Sequence, residues 1–387
     1  PAPGPRCRGE RDAAWPARYP LAIMTEPPPL LPIPAGQAST EPRDADEIKG
    51  LRYPLGRWVP GPGEAEEVAP GIFWVRMGLP SGLDHINLWV LDAGDGWAIV
   101  DTGVGLPASK AAWEALFSGV LKGKPVTRVI VTHYHPDHLG MAGWLCRKWD
   151  VPLEITRTEY LLARTLTLDV RDAPPGEAVA FSIRAGWSDE QVAAMKAKAW
   201  GNFGKIISKM PAGFKQLRDG DVLSIGARQF TVVVGRGHAP EHACLVADDV
   251  MISGDQVLPR ITSNVSVYPT EPYADPLGDW LESIDTLRAI PDHVLVLPAH
   301  NEPFYGLHTR LDQLAADHHG KLEKLEAFCA EPRTAVDCFA ALFRRPIGEA
   351  DYGLATGETV AHLHWLEERG RVSRLKDGSG VDRFVRV

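Results

Sequence analysis

Hydrophobic and polar residues alternate through EEVAPGIFWVRM (66–77), the period-two pattern of a half-buried strand. HINLWVLDA (85–93) and GWAIVDTG (96–103) predict two more strands joined by a Gly/Asp turn. The period then lengthens: in PASKAAWEALFSGV (107–120), Trp113, Leu116 and Phe117 share one helical face. PVTRVIVTH (125–133) is a buried strand, HLGMAGWLCRKW (138–149) a helix, and PLEITRTEY (152–160) a short strand and turn. Residues 157–218 break this rhythm and read as mostly helical, with Ser188 and Gln191 spaced as a capping box. Strands resume at 221–238, 242–255 and 293–300, with a helix over 275–290.

From about residue 306 the character changes. RLDQLAADHHGKLEKLEAFC (310–329), AVDCFAALF (335–343) and ETVAHLHWLEERG (358–370) predict three helices, and 372–387 a hairpin turned at Asp377–Gly380. Helix, helix, helix, hairpin is the order of a winged-helix module. The chain therefore divides into a tail (1–60), a central domain (61–305, with 157–218 as a lid-like insertion) and a C-terminal domain (306–387). The tail is rich in Pro, Gly and charge, shows no secretory apolar core, and contains Met24 as a candidate natural start.

Composition narrows the classes. Hydrophobic content of 44% and charged content of 24% are those of a soluble globular protein, and no apolar run reaches a membrane span. A net charge of −9 argues against wrapping a nucleic-acid duplex. Five scattered cysteines without a CxxC pair suggest neither a disulfide framework nor a thiolate zinc site, and fit a cytoplasmic setting.

The chemistry lies in VTHYHPDHLG (131–140), which packs three histidines and an aspartate into six positions. Imidazoles and carboxylates are the usual ligands of a borderline metal ion. His133 and His135 follow the run RVIV, His238 follows TVVVGRG, Asp255 follows VMISG and His300 follows VLVLPA. Strand ends share one edge of a layered sheet, so these groups can converge there. On spacing alone, His133 and His135 serve one ion, and Asp137 and His138 a neighbouring one. There is no G-x-S-x-G elbow, phosphate loop or dinucleotide fingerprint.

HYHPDH matches the H-x-H-x-D-H signature of the metallo-β-lactamase superfamily. GRGHAPEH resembles its G-H-T-x-x-H segment, GDQVL its bridging-aspartate segment, PAHNEPF its final-histidine segment, and VDTG an early strand end. The resemblance spans about 66–305. It implies an α/β, four-layer αββα sandwich with two divalent metal ions, zinc first and manganese or iron as alternatives. It implies that His133, His135 and His238 hold one ion, that Asp137, His138 and His300 hold the other, that Asp255 bridges them, and that Asp101 stands behind a ligand histidine. The C-terminal part resembles the winged-helix extension of the LACTB2-like branch.

An aspartate at position 255, where two-zinc β-lactamases generally carry Cys or Ser, resembles the thioesterases, lactonases and RNases of the superfamily instead. The expected function is a binuclear metal-dependent hydrolase in which metal-bound hydroxide attacks an ester, thioester or lactone carbonyl. Asp137 and His242 are the candidate catalytic groups, His242 alternatively being a core histidine. A single-strand endoribonuclease, a phosphotriester or phosphodiester hydrolase and a non-catalytic winged-helix regulator stay open. The expected partner is a small-molecule substrate, with nucleic acid and membrane disfavoured and a homodimer possible. Candidate substrate-pocket residues are His85, Asn87, Trp200, Phe203, Tyr268 and Tyr273.

Overall fold

The structure, a computed structural model, describes residues 45–80, 83–349, 351–376, 378 and 380–387. A short antiparallel pair, β1 (Asp46–Ile48) and β2 (Leu51–Tyr53), comes first. A seven-stranded sheet follows in chain order: β3 (Glu66–Ala69), β4 (Ile72–Gly78), β5 (His85–Asp92), β6 (Trp97–Val100), β7 (Val126–Ile130), β8 (Leu153–Thr156) and β9 (Lys215–Leu217). It is antiparallel from β3 to β6 and parallel from β6 to β9. A five-stranded sheet contains β10 (Val222–Ile225), β11 (Arg228–Gly235), β12 (His242–Val246), β13 (Val250–Gly254) and β14 (Leu295–Pro298), parallel only between β13 and β14.

Period-two patterning stacks the sheets. Trp74, Trp89, Val100 and Ile130 of the larger sheet meet Phe230, Leu245, Val250, Ile252, Leu295 and Leu297 of the smaller in one buried cluster. The intervening Met251 and Val296 point the other way, into a second cluster. Helices α1 (Pro107–Ser118), α2 (Pro136–Leu139), α3 (Ala142–Trp149) and α4 (Arg157–Leu168) cover the outer face of the larger sheet. Helices α5 (Gly176–Ala185) and α6 (Asp189–Lys196) come next; α6 opens on the expected capping box, with Ser188 and Gln191 exchanging side chain–backbone hydrogen bonds. Helices α7 (Pro276–Leu287), α8 (Leu307–Phe328), α9 (Phe339–Leu342) and α10 (Tyr352–Glu368) share the apolar cluster on the outer face of the smaller sheet. The architecture is the expected αββα sandwich of the metallo-β-lactamase fold. The hairpin β15 (Val372–Lys376)/β16 (Asp382–Arg386) ends the chain. Among the described residues no helix is long and apolar enough to cross a membrane.

Three expected segments take these places in the structure. Most of the expected tail lies outside the described residues, but 45–60 is folded: Leu51 and Tyr53 join the outer cluster, and Trp58 and Val59 the inter-sheet core. A three-residue strand is too short for alternation to reveal it. Residues 157–218, expected as a lid-like insertion, are packed into the body of the fold. Tyr160 and Ala163 of α4 are core, 215–217 forms the edge strand β9, and Phe181 and Ala185 of α5 pack against the C-terminal helices. The C-terminal segment has the expected order of three helices and a hairpin, but its helices pack on the smaller sheet through one continuous cluster.

Strand direction assembles the site. β6 and β7 run parallel and β5 antiparallel to them, so the ends of β6 and β7 and the start of β5 lie at one edge. In the second sheet the ends of β11, β13 and β14 and the start of β12 likewise share an edge. Backbone hydrogen bonds from Ala243 N to Thr132 O (2.8 Å) and from Asn87 N to Ala299 O (2.7 Å) join the sheets there.

Candidate metal centre

At that edge the side chains after β7, β11, β13 and β14 converge. His133, His135, His238 and Asp255 form one group with ligand-type atoms within 4.8 Å of one another; Asp137, His138 and His300 form a second. Asp255 faces both. Its Oδ2 is 3.3 Å from His238 Nε2, 4.0 Å from His133 Nε2 and 3.5 Å from His138 Nε2, and its Oδ1 is 3.4 Å from His300 Nε2. Asp137 Oδ2 lies 3.7 Å from His138 Nε2 and 3.5 Å from His300 Nε2. The first group closes with His133 Nε2 at 2.8 Å from His135 Nδ1 and 3.3 Å from His238 Nε2.

Three of the inward nitrogens are set by a hydrogen bond on the far side of the ring. His138 Nδ1 donates to Asp101 Oδ2 (2.7 Å), His238 Nδ1 to Asn264 O (2.7 Å) and His300 Nδ1 to His85 O (2.8 Å). A ring that donates through Nδ1 presents the Nε2 lone pair to a ligand. Asp101 also accepts from Thr132 N (2.8 Å) and holds a left-handed backbone (φ 62°), which is uncommon for a residue with a side chain. His138 Nε2, His300 Nε2 and Asp255 Oδ1 are buried and without hydrogen-bond partners. Buried polar atoms are normally satisfied, so three orphaned atoms aimed into one space fit a ligand that takes lone pairs, namely a cation.

Charge follows the same division. Burial opposes protonation of His138, but Asp101, Asp255 and Asp137 more than offset it and raise its pKa well above the usual value; His300 is raised against burial by Asp255 and Asp137. Burial likewise opposes ionisation of Asp137 and Asp255, yet His138 and His300 lower both, Asp137 to about 2. Burial and the neighbouring rings hold His133 well below its ordinary range and His135 at about 3.

The remaining candidates separate. His242 does not face the open site: it is fully buried, and its Nε2 accepts the backbone N–H of Asp255 (3.1 Å). A Cβ on Gly254 (φ 50°) would lie 2.5 Å from that nitrogen, so the glycine makes room for the ring. His242 therefore positions Asp255. His85 and Asn87 are also buried behind the site. His85 Nδ1 contacts Asp84 Oδ1, its Nε2 accepts Asn301 N (2.8 Å), and Asn87 Nδ2 donates to Pro298 O (2.9 Å), so both brace the loop of His300. Trp200 donates to Asp169 Oδ2 (2.9 Å), and Tyr273 is 74% exposed beneath Arg184; neither is brought to the ligand cluster. Phe203 and Tyr268 do approach it. Phe203 lies 6.2 Å from the Tyr134 ring, Tyr134 lies 4.5 Å from His135, and the Tyr134 and Tyr268 hydroxyls hydrogen-bond.

Glu159 escaped the sequence reading. Buried on α4, its carboxylate accepts Tyr134 N (2.9 Å) and Glu241 N (2.7 Å), tying the HYH loop to the HAPEH loop. Burial pushes its pKa up to about 7 against the pull of those two donors. Glu241 returns the contact by accepting Thr158 N (2.9 Å) at the start of α4. An acid in a first helical turn is ordinary, so nothing in the sequence singled it out.

Residues 81–300 match the family model of the metallo-β-lactamase superfamily, and 322–387 match that of the metallo-β-lactamase-like C-terminal domain. The crystal structure of a β-lactamase domain protein from Burkholderia ambifaria is 39% identical, covers 87% of this chain and 98% of its own, and superposes with a TM-score of 0.81. The human acyl-coenzyme A thioesterase MBLAC2 is 26% identical over 66% of this chain and 86% of its own length. The probable metallo-hydrolase YqjP of Bacillus subtilis is 22% identical over 79% and 95%.

Proposed function

The chain belongs to the metallo-β-lactamase superfamily and is a hydrolase, and from that premise we propose that it cleaves small acyl esters or thioesters, thioesters foremost, with two divalent ions. His133, His135 and His238 would hold one ion, Asp137, His138 and His300 the other, and Asp255 both. The observation that carries this reading is Asp255, whose Oδ2 lies within 4.0 Å of His133, His238 and His138 and whose Oδ1 faces His300, while Oδ1 and the Nε2 atoms of His138 and His300 lack hydrogen-bond partners. An all nitrogen and oxygen donor set suits zinc, and also manganese or iron.

Such ions lower the pKa of a water toward neutrality and supply a nucleophile at pH 7. The chain's own groups do the rest. Asp137 has 21% of its side chain exposed, against 8% or less for His138, Asp255, His238 and His300, so it meets what enters. Its low pKa keeps it a carboxylate, able to accept a hydrogen bond. Asp101, Asn264 and the His85 carbonyl keep the ligand rings from turning. Tyr134, Tyr268 and Phe203 form an aromatic flank beside His135, suited to an acyl group. The similarity to an acyl-coenzyme A thioesterase supports a thioester over a lactone.

A nucleic-acid substrate is not favoured. The expected recognition helix α10 buries Ala355, Gly357, Val360, Ala361, Leu363 and Leu366 among its own chain, leaving little of it for a groove. The test is elemental analysis of chelator-free protein together with thiol release from acyl-coenzyme A. About two ions per chain and turnover that both disappear in His135→Ala are expected; full turnover in protein free of transition metal would overturn the reading.

A further inference from the structure

Asn264, whose carbonyl orients His238, lies in the loop between β13 and α7, and that loop is held from the C-terminal side. Arg310 on α8 is buried and donates to Leu258 O (2.6 Å) and Ile261 O (2.8 Å). Val267 N donates to Gly357 O in the middle of α10 (3.1 Å). Asn264 Nδ2 donates to Glu358 Oε2 (3.2 Å), while Asn264 Oδ1 accepts the Ser266 hydroxyl. Glu358 Oε1 pairs with Lys321 Nζ on α8 (3.2 Å), which also reaches Asp317 (3.1 Å). Gly357 permits the approach: a Cβ there would lie 2.8 Å from Val267 O and 2.9 Å from Ser266 Cβ. Glycine is a poor helix former, and its place inside a seventeen-residue helix is explained by this contact.

We propose that Glu358, seated by Gly357 and Lys321, is a positioning residue for His238, so that α8 and α10 complete the metal centre from the C-terminal domain. The route is short. Lys321 fixes the Glu358 carboxylate, Glu358 fixes the Asn264 amide, and the Asn264 carbonyl fixes the Nδ1–H of His238. A ring free to rotate presents its Nε2 lone pair to the ion only part of the time, and partners of this kind change metal affinity by about 10–100-fold. The inference rests on the metal reading above.

The test titrates metal-free, full-length protein with Co(II), following the visible spectrum, and measures the melting temperature of each metal-free variant. Glu358→Ala is expected to weaken Co(II) binding about tenfold or more and to change the spectrum of the weakened site. Glu358→Gln keeps an oxygen for Asn264 Nδ2 but turns its amide NH2 toward Lys321, so it should recover part of the affinity lost in Glu358→Ala. Unchanged affinity in Glu358→Ala overturns the proposal, as does a lower melting temperature with unchanged affinity, or an equal loss in the Ala and Gln variants. Should Glu358→Ala not fold, Asn264→Ala breaks the same link from the other side and is judged by the same affinity and spectrum. A wild-type chain that takes up no Co(II) removes the metal reading itself, whereas a wild type that binds and a Glu358→Ala that binds equally well removes only this inference.

Discussion

His138 Nδ1 donates to Asp101 Oδ2 at 2.7 Å, and on the other side of the same ring Nε2 is buried without a hydrogen-bond partner. One carboxylate thus fixes the tautomer and raises the ring's basicity, the usual arrangement behind a metal-ligating histidine.

Proton linkage follows. In the ion-free protein His138 and His300 have raised pKa values, so their protons stand in for cations between Asp101, Asp137 and Asp255. Their contribution to stability is full below the unfolded histidine pKa of about 6.5 and is lost as pH rises through the raised folded values. The metal-free protein should therefore melt at lower temperature as pH rises above neutral, and loading with Zn(II) should remove that trend. Metal uptake must expel those protons. Calorimetric titration at pH 7 in two buffers of different ionisation heat should show proton release; a buffer-independent heat would rule the linkage out.

Glu159 offers a second measurement. As Glu159→Gln, one oxygen can still accept a backbone N–H, but the amide NH2 must face the other. A buried N–H left unsatisfied costs about 1–3 kcal/mol, so the melting temperature should fall. Because Tyr134 stands between His133 and His135, and Glu241 beside His242, metal affinity should fall as well. Lower stability with wild-type affinity would make Glu159 a core residue only.

Much of this was legible in the chain. Apolar runs mark the strands, and His133, His238, Asp255 and His300 each follow one, so their convergence at a shared edge could be read from order, whereas the αββα sandwich and the division of the seven ligands came only with the resemblance to the superfamily. The groups around it were not. His85, Asn87 and His242 look like site residues because they are polar and near the motifs, yet each turns inward to hold backbone. Glu159, Asn264 and Glu358 sit up to 94 residues from the segments they brace, in ordinary helical or loop sequence, and only packing brings them there. Edge strand β9 was hidden for a similar reason: three residues cannot show a period.

Asp137 has two separable roles. Asp137→Ala removes a donor from the second group but leaves His133, His135, His238 and Asp255 intact. It should lower metal content toward one ion per chain and cut kcat by about 10²–10⁴-fold, the scale of a lost acid–base group. Near-normal kcat with full metal content would show that Asp137 neither binds an ion nor handles a proton.

Salt decides between a small uncharged acyl substrate and RNA. Binding of single-stranded RNA weakens with salt at a log–log slope of about −0.7 per phosphate contact. This chain carries a net charge of −9, α10 is buried, and Arg369 and Arg374 are already paired with Asp275 and Glu367. Cleavage of a small uncharged acyl thioester should therefore change little between low and physiological salt, with no RNA cleavage at either. The comparison has to use the full chain. Deleting α8 to α10 would remove Arg310, Lys321 and Glu358, and with them the supports of the loop that orients His238. Loss of activity on truncation would thus say nothing about RNA. Full-length protein that cleaves single-stranded RNA with a steep salt slope, and leaves the thioester intact, would replace the acyl-hydrolase reading with a nuclease.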